Sequence, residues 1–145
     1  MNHREAFEAL GPEFWQVLRE EGARGLLARY DRFFEEDAEY SPPMSRMAGG
    51  HYVGRAGFAD YAEAVSEVFE RFDAELENLE WIDDHLARSV VKTRGLLRDG
   101  SAVGATQIWL TRVSDEGRSA YTWGTYDPDE AERKATELQA AKTDA

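Results

Sequence analysis

The stretch Phe33-Phe34-Glu35-Glu36-Asp37-Ala38-Glu39-Tyr40-Ser41-Pro42-Pro43, with Gly54-Arg55 a short loop later, decides how this chain is read. Paired aromatics end a helix, and an acidic turn carrying Asp37-Ala38 follows. A short strand is then stopped by two prolines that have no N–H to give to a ladder. Asp37 to Pro42 is therefore expected as an edge strand. Gly54 opens an amphipathic helix, and such a handover caps one mouth of a curved sheet with a pocket behind it.

Upstream, Phe7, Leu10, Phe14, Val17 and Leu18 recur at helical spacing, with Gly11-Pro12 expected to break or restart the helix and Gly22 to end it. A second helix is expected from about Ala23 to Phe34, its apolar face formed by Leu26, Leu27, Tyr30, Phe33 and Phe34. Downstream of a Met- and Gly-rich loop over Met44–Val53, the residues Phe58, Tyr61, Ala62, Val65, Phe69 and Phe72 predict one long helix. Four strands follow, Ala74–Ile82, Leu86–Leu97, Ser101–Val113 and Ser119–Tyr126. The turns at Asp83-Asp84, Arg98-Asp99-Gly100 and Ser114–Gly117 make them an antiparallel meander. Asp127 is placed to cap a closing helix, with Pro128 in its first turn and Glu130 as a capping-box partner.

Composition narrows the function classes. At 145 residues and 42% hydrophobic, the chain suits one domain over residues 1–145. A net charge of −12 offers nothing to neutralise phosphates, so neither a nucleic-acid nor an anionic-membrane partner is expected. The absence of cysteine removes thiolate chemistry and Cys-ligated metals. His3, His51 and His85 show no ligand spacing, so no metal and no cofactor is expected. With no apolar leader or spanning segment, a cytoplasmic location is expected.

The helix-to-strand handover, the run Tyr126-Asp127-Pro128-Asp129-Glu130-Ala131 and the order of elements between them resemble the SnoaL-like branch of the NTF2-like superfamily, over roughly Phe14 to Ala141. The resemblance implies an α+β, cystatin-like cone: a curved antiparallel sheet wrapped by three N-terminal helices, with a short C-terminal helix. It also implies relatives with many activities, ketosteroid isomerase and polyketide cyclases among them. The isomerase uses an Asp base with a Tyr and a protonated Asp as donors. By the family's register those positions fall on Pro42, Trp15 and Trp109, none of which can exchange a proton near neutral pH.

What remains is an aromatic pocket. Trp15, Tyr40, Tyr61, Trp109 and Tyr126, with Gln107 on the same strand face as Trp109, are the expected ligand-binding residues for a hydrophobic cyclic small molecule. His51, on the loop before Gly54, is the weak catalytic candidate, the one base suited to neutral pH. Lys92 and Arg94 share one strand face, either facing the cavity or solvated beside Glu75, Glu77 and Glu80. Tyr121 and Trp123, on the opposite parity, are expected on the convex face as a homodimer interface. A small-molecule-binding protein, a polyketide-cyclase-like enzyme using a pocket His or Tyr, and a non-catalytic homodimeric interaction protein are the three readings.

Overall fold

The computed structural model describes residues 1–43 and 50–144, with side chains through 141. Its elements are α1 (His3–Ala28), α2 (Tyr30–Phe33), β1 (Phe34–Ser41), β2 (Tyr52–Val53), α3 (Gly54–Val68), β3 (Phe69–Asp83), β4 (Leu86–Leu97), β5 (Ala102–Val113), β6 (Ser119–Thr125) and α4 (Pro128–Asp144). The sheet runs β2-β1-β6-β5-β4-β3, antiparallel except for β1 on β6. Helices α1 to α3 wrap its concave face and α4 lies on the other. This is the α+β cone that the resemblance implies.

Asn2 starts α1, its side-chain oxygen accepting the Glu5 N–H at 2.8 Å. Pro12 does not break the helix. Lacking an N–H, it leaves the Glu8 carbonyl without its helical donor, and the backbone continues helical to Gly22. Gly22 has φ of 73°, a left-handed conformation open to glycine at little cost, and there the chain turns to lay Ala23–Ala28 beside α3.

Two expected boundaries move. The helix α3 ends at Val68, so Phe69 and Phe72 belong to β3. Periodicity alone could not separate them, because a bulged strand also returns large apolar residues to one face. Register shifts at Phe69/Arg71, Leu76/Asn78 and Trp81/Asp83 bend the 15-residue β3 around the helices and give the sheet its curvature. The strand β1 is not an edge: β2 pairs at Glu39 and Tyr40, and β6 pairs from the other side. Pro42 falls just beyond the strand, where its missing N–H costs nothing. Residues 44–49 of the expected loop lie outside the described residues, and Tyr52–Val53 forms β2 instead of loop.

The outer face resolves the charge pattern. Lys92 and Arg94 are exposed there, alternating with buried Val91 and Thr93. Lys92 pairs with Glu77 at 3.8 Å and Arg88 with Glu80 at 3.5 Å, so the solvated reading holds. The β5–β6 half of that face is apolar and is covered by α4. Trp123, 8% exposed, packs with Leu86, Leu110 and Ala135, with Ile82, Tyr121 and Leu138 around them. Lys134 on α4 lies 5.9 Å from the Tyr121 ring and 5.8 Å from that of Trp123. The two aromatics expected at a homodimer interface meet a helix of their own chain instead. Asp127 caps α4, accepting the Asp129 N–H at 3.0 Å, while Glu130 accepts the Thr125 hydroxyl at 2.6 Å.

Candidate functional site

Between α1, α3 and the concave sheet lies a cavity of about 380 Å³. Alternation along the strands builds its floor: Ser89, Val91 and Thr93 on β4, and Gln107, Trp109 and Thr111 on β5, all point inward. Ala74, Leu76 and Leu79 of the bulged β3 form one wall. Phe14, Trp15, Leu18 and Leu26 of α1 form the roof, joined by Phe58 and Tyr61 of α3. Pro42, where the resemblance puts the isomerase base, is buried and lines the cavity with Pro43.

Most of the expected pocket residues converge. Trp15, Tyr40, Tyr61, Gln107 and Trp109 border the cavity. Trp15 meets Phe14 edge-on at 4.8 Å, and Trp109 stacks on Tyr40 at 5.6 Å with planes 18° apart. The two indoles are thus held by different partners and leave space between roof and floor. Tyr126 departs from the expectation: its ring is 46% exposed, outside the cavity, because it follows β6 where the sheet gives way to the α4 cap. Its hydroxyl is 3.4 Å from Gln107 Nε2 and so reaches the cavity only through that amide.

The polar groups form a chain. Trp109 Nε1–H donates to Gln107 Oε1 at 2.9 Å, and the Gln107 NH₂ donates to Tyr126. The Trp109 N–H is therefore already engaged. That of Trp15 donates to no group among the described residues. Tyr61 lies 4.8 Å from Tyr40 and 5.6 Å from Tyr52, a cluster of phenols at one end of the cavity. Burial pushes the Tyr61 hydroxyl up to about 12 and that of Tyr40 well above its usual value, with the two hydroxyls acting on one another. Both are neutral donors at physiological pH, and neither is a base.

His51 does not reach the cavity. It is exposed, with Nε2 3.1 Å from Glu39 Oε1 on the neighbouring strand. Glu8, missed in the sequence, is the carboxylate that the fold brings to the rim, where it accepts the Trp81 Nε1–H at 3.1 Å. Its spacing was a usable signal, for Glu8, Pro12 and Trp15 share one helical face. Histidines that look scattered in sequence also meet, His3 lying against His85 with ring centroids 4.1 Å apart.

No family model matches the sequence, and no curated protein matches it. Solved structures do. An NTF2-like protein of unknown function from Burkholderia pseudomallei superposes with a TM-score of 0.70 at 15% identity, over 88% of this chain and 95% of that one. A presumed polyketide cyclase from Xanthomonas campestris pv. campestris gives 0.64 at 16%, over 88% and 95%. TerC, co-crystallised with polyporic acid, gives 0.67 at 14%, over 90% and 95%. The chain has the NTF2-like fold.

Proposed function

We propose that this protein binds a neutral, ring-bearing hydrophobic small molecule in the cavity, in the manner of SnoaL-like proteins and without the isomerase catalytic set. The observation that carries the proposal is a cavity of about 380 Å³ with apolar walls that ends in hydrogen-bond donors held neutral by burial. That volume falls in the usual range of small-molecule sites, roughly 300–1,000 Å³. An anionic ligand would enter without a counter-ion, a large desolvation cost, since among the described residues the cavity lining holds no Lys or Arg. A ring carrying a carbonyl or hydroxyl loses apolar surface to the walls and finds the Trp15 N–H, Gln107 or the phenols for its oxygen. TerC, of the same fold, was co-crystallised with polyporic acid, which favours reading a cavity in this fold as a ligand site.

Titration of intrinsic tryptophan fluorescence with steroids, flavonoids and aromatic polyketides tests the proposal. Saturable quenching by at least one class is expected. Silence across the panel, with the cavity intact, overturns it. The polyketide-cyclase-like reading is weaker, because His51 lies outside the cavity and the phenols hold their protons; it would have to work through Glu8 on the rim. Residence in the cytoplasm belongs to the same proposal. The cavity is built from one chain, so binding needs no homodimer, and sedimentation at micromolar concentration reads the assembly state.

A further inference from the structure

The fold places three ligand-capable side chains together away from the cavity floor. His3, in the first turn of α1, lies flat on His85 of the β3–β4 turn, with ring planes 3° from parallel. Asp84 sits at the edge of the stack, Oδ1 3.8 Å from His3 Nε2 and Oδ2 3.4 Å from His85 Nδ1. Ligand atoms of His3, Asp84 and His85 all fall within 4.8 Å of one another. The remaining nitrogen of His85, Nε2, is 2.9 Å from Asp115 Oδ1. A carboxylate there fixes the tautomer: with Nε2–H given to Asp115, Nδ1 keeps its lone pair and faces Asp84.

We propose that His3, Asp84 and His85 form a site for a borderline divalent cation such as zinc, nickel or copper, with Asp115 holding His85 from outside. Two imidazoles and a carboxylate suit these ions, whereas magnesium and calcium favour oxygen alone. Ligands of a tetrahedral ion stand about 3.4 Å apart. The triangle therefore contracts on binding, and one ring turns about its Cβ–Cγ bond, because parallel imidazoles do not aim their lone pairs at one point. The two rings are partly exposed, at 16% and 26% of their side chains.

Arg4 competes for the same carboxylate. Its Nε lies 3.6 Å from Asp84 Oδ1, and its guanidinium stands 5.0 Å from the Trp81 ring. His3 Nε2 also bonds the Asp84 carbonyl at 2.5 Å, a contact the ion would replace. A bound ion would tie the first turn of α1 to the β3–β4 hairpin, next to the rim where Glu8 meets Trp81.

Calorimetric titration of the untagged, chelator-stripped protein with zinc chloride near neutral pH tests the site. A single saturable event well below millimolar zinc is expected. His3→Ala and His85→Ala should each weaken it at least about tenfold, and Asp115→Asn by about 10- to 100-fold. His51→Ala should leave it unchanged, and circular dichroism should show every variant folded. Absence of saturation below millimolar zinc, undiminished affinity in His3→Ala or His85→Ala, or loss of binding in His51→Ala overturns the proposal.

Discussion

Gly124 on β6 stands opposite Trp109 on β5, and its missing side chain is what lets the indole lie flat on the cavity floor. A Cβ at that position would come within 2.8 Å of Trp109 Cε3, 2.9 Å of Trp109 Cδ2 and 2.9 Å of Pro43 Cδ. Carbon atoms rest at roughly 3.5 Å or more, so in a Gly124→Ala variant the indole must retreat by about 0.7 Å. It has little freedom to do so. Tyr40 stacks on it at 5.6 Å, and its N–H is held by Gln107 at 2.9 Å. Overpacking of this kind costs about 1–3 kcal/mol. Gly→Ala in a strand would otherwise be neutral or favourable, so the sign itself is diagnostic. Urea denaturation should show a lower midpoint at unchanged slope. The tryptophan emission should shift, and binding of any quenching ligand should weaken as the ring moves into the cavity. A Gly124→Ala protein as stable as the parent, with the same emission, would refute the placement of Trp109 on this floor.

Trp15→Phe should weaken ligand binding by about 0.5–1.5 kcal/mol if its N–H bonds the ligand oxygen; fluorescence titration on the remaining tryptophans measures this, and undiminished affinity would show that the roof contributes shape alone. Trp123→Ala should cost about 3–5 kcal/mol, read by denaturation, because the ring is sealed beneath Ala135 of α4; a loss below about 1 kcal/mol would show that α4 does not cover this face. The Tyr61 phenol, raised from 10.0 to about 12, favours the neutral form in the folded state. Its contribution to stability is whole below pH 10 and is lost as pH rises towards 12. Urea midpoints across that window should fall less steeply in Tyr61→Phe than in the parent, and parallel slopes would contradict burial of the hydroxyl.

Local chemistry carried much of this molecule. Alternation of apolar and polar residues set β4, β5 and β6 to within a residue or two, because a strand half in water must alternate whichever neighbour it has. The same alternation put Gln107, Trp109 and Thr111 on one face, and the prolines after Ser41 ended β1 whatever lay beside it. Trp15, Tyr40 and Tyr61 were legible as pocket residues once that order of elements was read as a cone. Tertiary structure decided what depends on distant partners. The division between α3 and β3 rests on bulges that only the β4 ladder makes definite. The aromatics of β6 looked exposed until α4, whose own sequence is mostly polar, folded over them. Asp127 and Pro128 marked where that helix starts but not which face it covers. The bond from Trp81 to Glu8 and the meeting of His3 with His85 join residues far apart in the chain. No spacing rule encodes such meetings, because they follow from the angle at which α1 crosses the curved sheet, an angle set by the packing of the whole core.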